Sequence, residues 1–381
     1  MIPIGVFANL RSLLKGKQEV DINSIIFKLQ YRVTTTVLLC FCLLITTNSL
    51  VGNPISCLYD TTIAYLKEDT VNTYCWVHST YTLSKYYSYP HKGGIAHPGV
   101  GTHNNSEDDK IYHTYYQWVP FILFFQALMF YTPHWLWKAW EGGKLQSAVA
   151  GLSIPIKNNN ERQKAAVELV EYLHVSHRQH NYYTIRYLFC EILSLINCVL
   201  NIVLLNSFLN EMFFDYGNDV LAYYRGNINS TKTTTNNNNP MTIMFPKVTK
   251  CSFPMYGPSG SMEIQDLLCV LALNNFNDKI FLFLWFWLIF LSVVNTVGFL
   301  YHVLIFIIPD IRKLYLKRIS KVKDWKIINF FDQSGDSFLL YLIKKNIDTL
   351  TFNCLLDNLS QKLNSFDAKS HSSKDKMEKN I

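Results

Sequence analysis

Four apolar runs separated by about 50 to 70 polar residues constrain this chain more than any other feature. They cover residues 33–52 (VTTTVLLCFCLLITTNSLVG), 116–137, 188–209 and 280–308. A hydrocarbon core about 30 Å thick takes roughly 20 helical residues at 1.5 Å each. Soluble folds have no use for four such runs at this spacing. Composition agrees: 49% of the residues are hydrophobic and 17% charged, against about 25% charged in a typical soluble domain. The expectation is an all-α membrane protein of four transmembrane helices. No cleavable signal peptide is expected. Residues 1–32 are polar and basic, and the first run ends without a small-residue cleavage pattern.

The charges orient the spans. Segments 1–32, 138–187 and 309–381 together hold 26 lysines and arginines, whereas 53–115 and 210–279 hold 9. The positive-inside rule therefore places both termini and the middle loop in the cytoplasm. Segments 53–115 and 210–279 become extracellular loops. Glycosylation sequons at Asn104 and Asn229 fall in these outer loops. A third, at Asn358, falls in the cytoplasmic tail. Of nine cysteines, Cys57 and Cys75 lie in the first outer loop and Cys251 and Cys269 in the second, each pair 18 positions apart. An even number in an oxidising compartment reads as two disulfides, with three connectivities open. Zinc is the rival, but the spacing lacks the short CxxC turn of a structural zinc site.

The second span opens with Tyr115-Tyr116-Gln117-Trp118-Val119-Pro120. The second outer loop reads Lys250-Cys251, Tyr256-Gly257-Pro258-Ser259-Gly260, Cys269-Val270-Leu271 and Asn274, and the first contains Cys75-Trp76. In these residues the chain resembles the innexins, the invertebrate gap-junction proteins, over about residues 1–310. The resemblance implies a four-helix subunit with disulfide-bonded outer loops and a helical cytoplasmic domain, assembling as a ring around a pore. It implies a homo-oligomer, with an octamer favoured, that docks with the opposing half-channel of a neighbouring cell. Other innexin-like subunits and membrane lipids are further expected partners. It also implies the pairing Cys57 with Cys269 and Cys75 with Cys251. The expected function is a plasma-membrane, large-pore channel for ions and small molecules. An undocked half-channel like the related pannexins, or a multi-span adhesion or receptor protein, are the alternatives.

No catalytic constellation is present: GxSxG, HExxH and the P-loop pattern are absent. No cofactor, metal or nucleic-acid partner is expected. The resemblance implies an amino-terminal pore helix whose candidate lining residues are Ile2, Pro3, Ile4 and Phe7, the alternative being an amphipathic helix lying on the membrane. Thr34, Thr47 and Asn48 in the first span are further pore-lining candidates. The span's threonines have an alternative, bonding back to the helix backbone. The five histidines of the first outer loop, His78, His91, His97, His103 and His113, read as solvated. Tyr115, Tyr116 and Trp118 read as an outer interfacial belt, and Trp135, Trp137 and Trp140 as an inner one. Pro133 reads as a kink or a stop. Asn197 and Asn201 share a helix face and read as contacts between subunits. Residues 210–279 carry a low-complexity insertion, RGNINSTKTTTNNNNP, at 225–240. Apolar patches in the tail read as helices packing on the middle loop, and the end DAKSHSSKDKMEKNI as disordered.

Overall fold

The computed structural model describes residues 20–59, 67–87, 97–102, 110–150, 152, 159–226, 239–257, 259–320 and 325–378. In chain order, the long helix α1 (Ile25–Val51) leads to β1 (Ser56–Leu58), α2 (Glu68–His78), β2 (Thr80–Leu83) and β3 (Lys110–His113). Then come α3 (Val119–Glu141), α4 (Lys144–Val149), α5 (Asn159–Val175) and α6 (Asn181–Phe208). Next are α7 (Phe213–Tyr224), α8 (Pro240–Met244) and the hairpin β4 (Val248–Tyr256) and β5 (Met262–Val270). The chain finishes with α9 (Asn274–Ile307), α10 (Pro309–Ser320), α11 (Trp325–Phe330), α12 (Ser334–Asn346) and α13 (Thr349–Glu378). Among the described residues, α1, α3, α6 and α9 are the helices long and apolar enough to cross a membrane. The chain divides into two compact units, residues 29–131 with 195–294 and residues 1–28 with 132–194 and 295–381.

The first unit carries an antiparallel sheet in the order β1-β5-β4-β2-β3. Its centre is the β4–β5 hairpin, paired from Val248↔Val270 to Tyr256↔Met262. The turn closes through a 2.8 Å bond from the Gly257 amide to the Ser261 carbonyl. Gly260 sits in it at φ +79°, where a side chain would be strained. The helix α8 starts where Asn239 caps it, its side-chain oxygen accepting the Met241 amide at 3.0 Å ahead of Pro240 in the first turn. The apolar core of this unit gathers Leu38 and Ile45, Val119, Leu123, Ala127 and Phe130, Leu205, Phe281, Leu284 and Leu288.

Within it, α1 begins unusually, with a π-helical turn at Leu29–Thr34. Among the threonines of α1, Thr36 bonds back to the Arg32 carbonyl of its own helix at 2.6 Å and Thr46 to Cys42 at 2.8 Å, whereas Thr35 donates to the Ala127 carbonyl of α3 at 3.4 Å. The pair Asn197 and Asn201 faces α3 of the same chain. Asn197 donates to the Met129 carbonyl at 2.6 Å, Asn201 to Asn197 at 2.8 Å, and Gln126 to the Asn201 carbonyl at 3.3 Å. This corrects the expectation of a contact between subunits. Polar groups in an apolar bundle take the nearest carbonyl, and here it is intramolecular.

The second unit is helical. Leu145 and Val149 of α4, Ala166, Leu169 and Leu173 of α5 and Leu316 of α10 pack with Leu339, Leu340 and Ile343 of α12 and Leu355, Leu356 and Leu359 of α13. The middle segment and the tail thus share one core. The last helix runs on to Glu378, through the stretch whose composition reads as disordered. The helix α3 continues past Pro133 to Glu141, so that proline is not a stop.

Candidate functional site

The sheet-bearing unit is held by two disulfides. Cys57 and Cys269 are cross-strand partners on β1 and β5, and their sulfurs are bonded. Cys75, on α2, is bonded to Cys251 on β4. All four are buried beside Ile55, Val71, Tyr116, Phe253, Leu267 and Leu271. The sulfurs of Cys57, Cys75 and Cys269 lie within 4.8 Å of one another. Each is consumed in a disulfide, so none offers the thiolate a metal needs.

The Tyr-Tyr-Gln-Trp signature closes this core from below in sequence. Tyr116 is 1% exposed and its ring lies 4.6 Å from that of Trp76. The Tyr116 hydroxyl donates to the Trp76 carbonyl at 3.4 Å, and the Gln117 amide nitrogen donates to the same carbonyl. Tyr115 packs edge-on against Phe245 at 5.6 Å. Of the expected outer belt, only Trp118 is exposed. Tyr116 is instead a bolt between the approach to α3 and the residue after Cys75, and Tyr115 packs on Phe245. A tyrosine ring buries as well in a core as at an interface when its hydroxyl finds a carbonyl. A similar correction applies in the helical unit. Trp137 is fully buried and donates to the Ile22 carbonyl at 3.2 Å, whereas Trp135 is exposed.

Among the candidate pore residues, Thr34 is fully buried. Its hydroxyl accepts from the Trp287 indole at 3.0 Å and donates to the Leu29 carbonyl at 3.3 Å. That removes it from the candidate lining. Thr47 is exposed and Asn48 half-buried. Ile2, Pro3, Ile4 and Phe7 lie outside the described residues, as do Asn104 and Asn229.

The segment following the amino-terminal stretch is firmly held in the helical unit. Asp21 accepts from Lys28 and, at 2.9 Å, from Lys345. Lys345 also donates to the Asn23 carbonyl, and Asn346 donates to the Asp21 carbonyl at 3.0 Å. Burial pushes the Asp21 carboxyl up, but the two ammonium groups outweigh it and hold its pKa below the usual value. Sequence gave no signal for this clasp, whose partners are more than 300 residues apart. In the same unit, Glu191 is buried and pairs with His302 Nδ1 at 2.7 Å. An ionic group at span depth seeks such a partner.

His113 departs from the solvated reading. It is 7% exposed, with Nε2 2.9 Å from the Thr82 hydroxyl, which itself accepts from Tyr87 at 3.2 Å. Tyr87 donates to Thr82 and Thr82 donates to the ring, an arrangement for a neutral imidazole. Burial lowers the His113 pKa to about 4. The unfolded chain, titrating near 6.5, then binds more protons between those values, so stability falls as pH drops from about 6.5 to about 4. The full difference amounts to about 3 kcal/mol. Thermal unfolding followed from pH 7 to 4.5 is expected to show that slope, and His113→Gln to flatten it. An unchanged slope in the variant would assign the acid loss to other groups.

A four-span membrane protein with a disulfide-tied sheet and a helical second unit is the class these features define. The innexin family model matches residues 23–363. Over 363 residues the chain is 39% identical to innexin shaking-B of Drosophila melanogaster, covering 94% of this chain and 95% of that protein. It is 38% identical to innexin inx2 of the same fly, covering 96% and 98%. It is also 38% identical to innexin inx2 of Schistocerca americana, covering 94% and 98%. The chain belongs to the innexin family, a family of gap-junction channel subunits.

Proposed function

We propose that the protein is a subunit of an intercellular channel in which two rings, octamers by family analogy, dock through the sheet-bearing unit. Segments 53–115 and 210–279 then face the extracellular gap, and 1–32, 138–187 and 309–381 the cytoplasm. The observation that carries docking is one face of the β4–β5 hairpin end. Tyr256 and Met262 are directly opposed, and Pro254 opposes Ile264. Alternation along each strand puts all four on the same face. All are exposed, Tyr256 at 74% and Ile264 at 70%. The other face, through Phe253 and Met255, packs on the disulfide core. A rigid strand pair that presents apolar side chains to water marks an interaction surface.

Cells expressing only this protein, paired and voltage-clamped, are expected to show junctional conductance. Met262→Asp with Ile264→Asp is expected to abolish it while leaving surface expression and single-membrane current intact. Large single-membrane currents from the wild type without coupling would instead make it an undocked half-channel. That alternative is favoured by the sequons Asn104 and Asn229, whose glycans would hold rings apart. Enzymatic removal of glycans restoring coupling would be its signature.

A further inference from the structure

We propose that the helical unit binds a phosphorylated polyol in a cavity walled by Lys144 and Arg186. The cavity measures about 610 Å³, inside the range of about 300–1,000 Å³ typical of small-molecule sites. Ser147, Glu168, Tyr172 and His180 are among the polar residues of its wall. These residues come from α4, α5, the turn that follows α5, and the first turns of α6.

Each group is set for its part. The Arg186 guanidinium lies over the Tyr182 ring at 4.3 Å and 5.8 Å from the Trp140 ring. A stacked guanidinium is fixed in plane and keeps its N–H edge for an oxyanion. Lys144 supplies a mobile point charge from a separate helix. His180 has Nδ1 2.8 Å from the buried Asp336 carboxylate and Nε2 3.4 Å from the Tyr172 hydroxyl. Asp336 therefore fixes the ring with Nε2 on the Tyr172 side, where it serves the cavity. One stacked guanidinium and one mobile ammonium together suit a phosphate ester. The single carboxylate, Glu168, opposes a bare phosphate but accepts hydrogen bonds from hydroxyls, as do Ser147 and Tyr172. That combination selects a polyol bearing phosphate, such as an inositol phosphate.

The source is either a soluble inositol phosphate or the head group of a phosphoinositide. Arg186 stands two residues before the apolar run that starts at Leu188, and Lys144 three residues beyond the end of α3. On the proposed topology that is the head-group level of the cytoplasmic leaflet, where basic pockets between spans take anionic lipid heads. The leaflet assignment rests on that topology; the binding chemistry does not.

The test uses the full chain purified in detergent and a fluorescent, short-chain phosphatidylinositol 4,5-bisphosphate followed by anisotropy. Binding is expected to be tighter than to short-chain phosphatidylserine. Lys144→Gln and Arg186→Gln are each expected to weaken it roughly tenfold, the loss of one charge-assisted contact. Glu168→Gln is expected to narrow the preference for the inositol compound over inorganic phosphate. Full competition by inositol 1,4,5-trisphosphate would identify the soluble head group as a sufficient ligand. Binding that the trisphosphate does not displace would identify the lipid. Phosphoinositide binding no tighter than phosphatidylserine binding would overturn the proposal. So would unchanged binding in Lys144→Gln, whose exposed side chain leaves the fold intact. The assay needs neither docking nor conductance, so failure of the junction reading would show separately.

Discussion

Cys57→Ala with Cys269→Ala is expected to lower the stability of the sheet-bearing unit by about 3–5 kcal/mol and to abolish junctional conductance. The bond links residues 212 positions apart. Closing a loop of that length removes much of the unfolded chain's freedom, about 5 kcal/mol in the chain-entropy account. The measured loss is expected to be smaller, because the Cys75–Cys251 bridge, with a separation of 176, still restrains the same region. The consequence for function follows from position. Cys269 lies on β5, the strand that also carries Met262 and Ile264. Without its tether to β1, the hairpin loses one of the two bonds that fix the apolar face. All four sulfurs are buried. Dithiothreitol is therefore expected to act on the wild type only as fast as the unit opens. Melting curves and paired-cell recordings on the same variant check both parts; a stable, coupling-competent variant would remove the disulfide from the docking argument.

Asp336→Ala is expected to cost the helical unit about 1–3 kcal/mol, the range for leaving buried hydrogen-bond donors without their acceptor. Asp336 is 3% exposed. One carboxylate oxygen takes His180 Nδ1 at 2.8 Å. The other takes the backbone amide of Arg178 at 3.0 Å and faces His177 Nδ1 at 3.2 Å. Arg178 holds a left-handed backbone at φ +68°. The carboxylate thus fixes a strained turn as well as the His180 ring. Asp336→Asn keeps an acceptor for the Arg178 amide and is expected to fall between wild type and alanine. Trypsin supplies a local readout, since cleavage after Arg178 is expected to accelerate in Asp336→Ala. The neighbouring Gly335→Ala is expected to destabilise in the same direction, by about 1–3 kcal/mol. An added Cβ would lie 2.3 Å from the His180 carbonyl carbon and 2.4 Å from the Asn181 nitrogen, and backbone atoms have no rotamer to escape into. Equal cleavage rates and melting temperatures in these variants would show that the turn holds without α12.

The four spans were legible in the chain because crossing a bilayer leaves a one-dimensional mark. Each run must be apolar throughout for about twenty residues, whatever it packs against. The family was legible from the Tyr-Tyr-Gln-Trp signature and the outer-loop motifs. Side-chain destinations within those runs were less so. Tyr116 and Trp137 suit a membrane interface by composition, yet both are interior, because a backbone carbonyl lies within reach of each polar edge. Thr34, Asn197 and Asn201 carry the polarity expected of a pore or a subunit seam, but each finds its partner inside the same chain. A single sequence reports that a polar group sits in a span; it does not report which neighbour satisfies it.

The sequence by itself thus determined the number of spans, the family, the distribution of charge between alternate segments and the four cysteines available for bridging. The tertiary structure decided which strand the first bridge lies across and that the hairpin end turns one apolar face outward. It also decided that Asp21, Asp336 and His113 are held by partners distant in sequence. The physical reason is range. Hydrophobic length and net charge are sums along the chain. A hydrogen bond, an ion pair or a buried imidazole depends on a few ångströms between residues that the chain brings together only when folded.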